Sequence, residues 1–131
     1  VKLINEGPQE GLWVMTDEVK LTKVFMNLIG NAKKFTTQGH IVVGAKITSD
    51  NVWVECWVKD TGMGISPENL EHIFDRFYKV NEFKQGTGLG LSICGAIIEL
   101  LEGQIWVEST LGEGTTFYFR IPYQKPKEEG I

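Results

Sequence analysis

The chain has no apolar run near the roughly 20 residues a helix needs to cross a bilayer. Its opening residues, Val1-Lys-Leu-Ile-Asn-Glu-Gly-Pro8, hold no apolar segment of the kind that drives secretion. It has no excess of positive charge: 13 Lys and Arg stand against 17 Asp and Glu, a net charge of -4. Non-specific nucleic-acid binding needs a basic surface, so that class of partner is excluded. There are only two cysteines, Cys56 and Cys94, at a spacing that matches no metal motif. One falls in an expected strand and the other in an expected helix, so both are expected as free buried thiols in a reducing cytoplasm. There is no internal repeat and no initiator Met; the latter makes a segment of a longer protein the expectation. What is present is 131 residues, 42% of them hydrophobic, which is one domain with enough apolar mass for a real core.

Hydropathy periods divide the chain into elements. Gly11 to Met15 reads as a short strand, and Thr16 or Asp17 offers an N-cap for a helix. Leu21, Val24, Phe25, Leu28, Ile29 and Ala32 then recur at helical offsets and give that helix one buried stripe. Thr37-Gln-Gly39 ends it. His40 to Ser49 and Val52 to Lys59 both alternate, with Ile41, Val43, Ala45, Ile47 on one side and Val52, Val54, Cys56, Val58 on the other strand's matching side. The intervening Asp50-Asn51 predicts a hairpin. Ser66-Pro67-Glu68 starts a short helix to about Phe74, with Pro at the first helical position. Leu89 to Leu101 reads as a helix closed by Gly103. Gln104 to Ser109 and Thr115 to Ile121 are strands joined by Leu111-Gly-Glu-Gly114. Mostly antiparallel strands with helices on one face make an α+β two-layer sandwich. Residues 1–123 form the domain, and 124–131 read as a flexible tail or linker.

Three polar or glycine-rich elements stand beside these apolar ones. Asn27-Leu-Ile-Gly-Asn31-Ala-Lys-Lys34-Phe35-Thr36 runs along the first helix to its end, where the four- and three-residue spacings put Asn27, Asn31 and Lys34 on one face. An amide oxygen is a hard neutral ligand suited to Mg²⁺, and a lysine places a point charge against a phosphate. Asp60-Thr-Gly62-Met-Gly64 follows a strand, so a carboxylate sits at a strand end where glycines let backbone approach closely. Gly86-Thr87-Gly88-Leu89-Gly90 precedes a helix, whose first N–H groups attract phosphate. The last element is not a dinucleotide fingerprint, because no βαβ unit with an acidic residue about 20 positions on surrounds it. Nor does it contain the Gly-Lys-Ser/Thr of a P-loop.

In this order the three elements resemble the catalytic and ATP-binding domain of sensor histidine kinases, over about Leu12 to Pro122. Phe74-Asp-Arg-Phe77-Tyr78-Lys79 is similar to that family's phenylalanine box, with Phe74 and Phe77 read as packing residues. The resemblance implies the Bergerat-type fold of the GHKL superfamily, a mixed five-stranded sheet with three helices on one face. It implies ATP and Mg²⁺ as cofactors, with Asn31 on the metal and Asp60 accepting from the adenine amino group. The implied ATP-binding set is Asn31, Lys34, Phe35, Asp60, Gly62, Gly64, Tyr78, Lys79, Gly86, Thr87, Gly88, Leu89 and Gly90, with Asn27, Asn31 and Lys34 in catalysis. Lys79 stands where the family often has a phosphate-contacting Arg or Lys. Two departures stand out: Gln85 replaces the first of two glycines, and the lid from Val80 to Gly86 is short.

The implied partners are the parent's own dimerisation and His-phosphotransfer domain and a response-regulator receiver domain, with no direct membrane contact by this domain. The expected setting is the cytoplasm, whether or not the parent is membrane-anchored. Hydrolytic branches of the superfamily carry a Glu where this chain has Asn27, and an amide is no general base at neutral pH. The acceptor is also missing: neither His40 nor His72 stands in a His-Glu-x-x-x-Pro context. An ATP-hydrolysing module, a sigma-factor-regulating serine kinase and a nucleotide-binding scaffold are the alternatives. One reading goes beyond the family. Alternation sends Trp13, Trp53, Trp57 and Trp106, with Tyr118 and Arg120, to the sheet face away from the helices. That face is expected either to be a docking surface or to be covered from within the chain.

Overall fold

The computed structural model describes the backbone of Lys2–Asn5 and residues 17–74 and 90–123. Eight elements follow in order: β1 (Lys2–Asn5), α1 (Glu18–Phe35), β2 (His40–Ile47), β3 (Trp53–Asp60), α2 (Pro67–Leu70), α3 (Gly90–Leu100), β4 (Gln104–Thr110) and β5 (Gly114–Pro122). The five strands form one sheet in the order β1-β2-β3-β5-β4. β1 runs parallel to β2, and every other pair is antiparallel, so the sheet is mixed as expected. β1 is a strand that no periodicity announces. Four residues are too few to show alternation, and its partner lies 38 positions away in register, Lys2 against His40. The strand expected at Gly11 to Met15 lies outside the described residues, as does the tail from Gln124.

α1 begins where the sequence places it. Asp17 is the N-cap, accepting from Lys20 N at 3.1 Å, and its carboxyl is held below the usual range by the Lys20 hydrogen bonds. Val24, Leu28 and Ala32 are buried, and Leu21, Phe25 and Ile29 pack beside them. This stripe meets the inner side chains Ile41, Val54, Cys56, Val58, Phe117, Phe119 and Ile121. Phe25 and Phe119 meet edge-to-face at 5.1 Å between ring centroids. Both thiols are free and buried, as the composition implied; burial pushes Cys56 up to about 12 and Cys94 up to about 11. The short helix after Pro67 stops at Leu70 instead of Phe74 and continues as turns. Phe74 packs edge-to-face on Phe117 at 6.1 Å, in keeping with a packing role; Phe77 lies outside the described residues.

The end of α3 differs from expectation in one respect. Gly103 follows the helix, but the left-handed residue is Glu102, at φ 62°. Glu102 N bonds Glu99 O at 3.0 Å and Gly103 N bonds Ile98 O at 2.8 Å, the paired bonds of a Schellman cap. Gly103 is required for a different reason: a Cβ there would sit 2.0 Å from Arg120 O. A non-glycine residue in left-handed backbone costs about 1 kcal/mol. Relief of that strain, less the roughly 0.5 kcal/mol that glycine adds to the entropy of the unfolded chain, should leave Glu102→Gly about 0.5 kcal/mol more stable. A urea titration checks this; an unchanged or lower midpoint would count against the cap assignment.

The sheet face away from the helices carries Trp53, Trp57 and Trp106 as alternation predicts, while Trp13 lies outside the described residues. These rings do not project as an open apolar patch. Trp57 lies over Gly44, whose missing Cβ would be 2.2 Å from the indole. Trp106 stacks on Tyr118 at 5.4 Å and 13°. The Arg120 guanidinium caps Trp53 at 4.1 Å, held there by its Nε bond to Gln104 at 2.9 Å. All three tryptophans are half-buried, so the face is largely covered by its own cross-strand pairs.

Candidate functional site

The centre of the site is Asp60, the last residue of β3. Alternation brings it to the helix side of the sheet, where it is only 4% exposed. A buried carboxylate needs donors, and the fold supplies two from backbone. Gly62 N donates to Oδ1 at 2.9 Å, and Thr115, paired with Asp60 across β3 and β5, donates its N–H. Burial nevertheless dominates and pushes the carboxyl above the usual carboxylate range.

The loop after Asp60 is wedged between the end of α1 and the β4–β5 turn. Met63 N bonds Phe35 O at 3.1 Å, Thr61 N bonds His40 O at 3.1 Å, and Gly112 N bonds Met63 O at 2.7 Å. The Thr61 hydroxyl accepts from His40 N at 2.9 Å. At Gly62 a Cβ would sit 2.2 Å from Phe35 O, and at Gly64, with φ +73°, 2.2 Å from Thr110 O. Both glycines are thus demanded by the protein's own backbone. The loop's far side is pinned by Ser109, whose Oγ accepts from Ile65 N at 2.7 Å, donates to Gly114 O at 2.9 Å and lies 2.8 Å from Thr115 Oγ1.

α1 supplies the second wall. Asn27 and Asn31 are half-buried and Lys34 is exposed in the last turn, so the shared face is real and graded toward solvent. Asn27 Nδ2 is buried without a hydrogen-bond partner. Its amide lies beside the Cys94 thiol, and Cys94 reaches back to Val24 O at 3.8 Å. Cys94 is one turn beyond Gly90, so the asparagine face of α1 meets the beginning of α3. Gly90 is exposed, and a Cβ there would meet nothing within 4 Å. The structure therefore gathers Phe35, Asp60, Gly62 and Gly64 at one end and sets Asn27 beside α3. Tyr78, Lys79, Gly86, Thr87, Gly88 and Leu89 lie outside the described residues. His40 opens β2 on the exposed surface.

Sequence reasoning missed Thr36, Ser109 and Thr115. The register places Thr115 opposite Asp60, which no motif announces; Thr36 ends the asparagine element of the sequence, where it carried no role, and is the C-cap of α1. A cavity of about 410 Å³ at the ends of β3, β4 and β5 is lined by Lys59, Asp60, Glu108, Ser109 and Glu113 among others. It takes no residue from α1 or α3 and shares only Asp60 with the predicted set, so it is not that site. Among the described residues no three His, Cys, Asp or Glu gather to hold a metal ion. The one metal donor proposed from the sequence, the Asn31 amide oxygen, suits a Mg²⁺ that keeps its waters and takes other oxygens from phosphate.

Residues 16–125 match the family of histidine kinase-, DNA gyrase B- and HSP90-like ATPases. The chain belongs to this family. It is 36% identical to the sensor histidine kinase WalK of Bacillus subtilis over 98% of this chain and 22% of WalK. It is 47% identical to the sensor protein SrrB of Staphylococcus aureus over 81% of this chain and 19% of SrrB. The domain thus spans about a fifth of the length of these curated relatives. Its fold is similar to that of full-length ShkA, solved in complex with AMPPNP, with a TM-score of 0.85 and 29% identity over 97% of this chain and 26% of ShkA. The α+β class read from the sequence, with the mixed sheet that the resemblance implied, is the family's. No helix among the described residues is long and apolar enough to cross a membrane.

Proposed function

We propose that this domain binds Mg²⁺-ATP and presents the γ-phosphoryl group to a histidine on a dimerisation domain of the same parent, as the catalytic part of a sensor histidine kinase. A response-regulator receiver domain is the next acceptor, and the domain works in the cytoplasm. The observation that carries the reading is Asp60: a buried carboxylate at a strand end that accepts from two backbone donors, with oxygen capacity left to accept from a base. That acceptor takes the exocyclic amino group of adenine and meets only a carbonyl on guanine. Gly90 leaves the start of α3 open to a phosphate, and Lys34 is exposed at the end of α1. Asn31 is the residue that would hold Mg²⁺, which when bound neutralises charge between phosphate oxygens. Asn27 cannot take a proton from water, so this chain's own groups favour transfer to a positioned acceptor over hydrolysis.

Titration calorimetry tests the reading. Wild-type domain should bind ATP more tightly with Mg²⁺ than without. Asn31→Ala should lose at least about tenfold of that Mg²⁺-dependent gain, the lower end of what disturbing a metal ligand's support costs. No ATP binding by the wild type, or an unchanged Mg²⁺ effect in Asn31→Ala, would overturn it.

A further inference from the structure

Thr36 is the C-cap of α1, in extended backbone at φ −118° and ψ 103°. That conformation turns its side chain inward instead of along the helix. The residue is only 2% exposed, and its Oγ1 is buried without a hydrogen-bond partner. A buried hydroxyl is normally satisfied, so this one is out of place as a structural group. Its surroundings show where it points. A Cβ on Gly62 would come within 2.8 Å of Thr36 Oγ1, so the absence of a side chain at that glycine leaves the hydroxyl its room. The hydroxyl is also near enough to the Asp60 carboxylate to favour its charged form, alongside Gly62 N–H and Thr115 N–H. Three donors from three elements thus converge on one carboxylate, and only the hydroxyl is left open.

We infer that Thr36 is a positioning residue of the nucleotide-base subsite: its hydroxyl completes the donor set of the Asp60 carboxylate when a nucleotide base is bound. This deepens the function proposed above and rests on it. The physical reason is division of labour around one group. A carboxylate that accepts from Gly62 and Thr115 alone can still rotate its free oxygen away from the base. A third donor fixes the carboxylate plane and leaves a single direction for the base's amino group. A threonine suits this role because β-branching limits its χ1 choices, so the hydroxyl is aimed without a large loss of freedom. The groups acting on Asp60 are neutral. Lys59 points to the opposite face of β3, while Lys33 and Lys34 on α1 and His40 on β2 are exposed. A pH effect at this site therefore reports Asp60 and its donors.

The test compares Thr36→Val, Thr36→Ser and Asp60→Ala in the 131-residue chain, with ATP and GTP as probes. Thr36→Val removes an unpartnered hydroxyl at nearly constant volume. The free domain should therefore melt at or above the wild-type temperature, while ATP affinity falls about tenfold, the effect of one hydrogen bond to a charged group. Loss of a donor makes the carboxylate easier to protonate, so the acid limb of ATP binding should move to higher pH in Thr36→Val. Thr36→Ser should restore both affinity and acid limb, and it keeps the test intact if the valine variant folds poorly. Wild-type affinity and an unmoved acid limb in Thr36→Val, or a serine variant as weak as the valine, would overturn the role of Thr36. If Asp60→Ala itself leaves ATP and GTP affinities unchanged, the base-site reading beneath it falls instead.

Discussion

Asp60→Ala is expected to reduce ATP affinity roughly 10- to 100-fold, and to bring ATP and GTP to similar affinities. The magnitude is that of losing a hydrogen bond to a charged acceptor, about 1.5–3 kcal/mol. Selectivity goes with it, because in the proposed function the carboxylate is the group that distinguishes an amino donor from a carbonyl. Asp60→Asn sharpens the point: an amide can present a donor, so guanine should gain what adenine loses. Calorimetric titration with both nucleotides reads all three proteins. An alanine variant that still prefers ATP by the wild-type margin would place the base elsewhere. The same residue sets a pH dependence with two opposite signs. Its folded-state pKa is raised by burial, so the folded domain takes up a proton at higher pH than the unfolded chain does. Ionised Asp60 therefore costs stability at neutral pH, and that cost is relieved as the pH falls into the raised range. Nucleotide binding runs the other way, since it needs the ionised acceptor and weakens through the same range.

The second large effect is an all-or-none one. Incubated with Mg²⁺-ATP alone, the domain should neither label itself nor hydrolyse ATP at a useful rate. General-base assistance contributes about 10²–10⁴-fold in comparable reactions, and the amide of Asn27 supplies none. An amide nitrogen is a donor and takes up no proton at neutral pH, because its lone pair is delocalised into the carbonyl. Supplied in trans with its parent's helical His domain, the same protein should label that histidine. Radiolabel on His40 or His72, or brisk hydrolysis by the domain alone, would sink the transfer mechanism.

Periodicity alone settled much of this domain. The stripe of Val24, Leu28 and Ala32, the alternation of β2 and β3, and the capping of α1 by Asp17 are local properties, and local sequence encodes them through side-chain spacing and backbone preference. The Asn27–Lys34 and Asp60–Gly64 elements were equally legible as segments at a helix end and a strand end, since each needs particular residue types at short range; Gly86 to Leu89 lie outside the described residues. Tertiary structure decided everything that depends on distant partners. β1 exists because Lys2–Asn5 finds β2 in parallel register, which four residues cannot advertise. Gly62 and Gly64 are glycine because Phe35 O and Thr110 O stand where Cβ atoms would be. Gly103 is glycine because Arg120 O stands where its Cβ would be, while the left-handed turn falls on Glu102. Thr115 reaches Asp60 through cross-strand register, and Thr36 turns inward only because α1 ends against the loop that follows β3. Trp57 lies over Gly44, Trp106 stacks on Tyr118 and Arg120 caps Trp53 because these partners stand on other strands of the sheet. A sequence states which side a residue faces; what it meets there depends on chain segments brought together only by the fold.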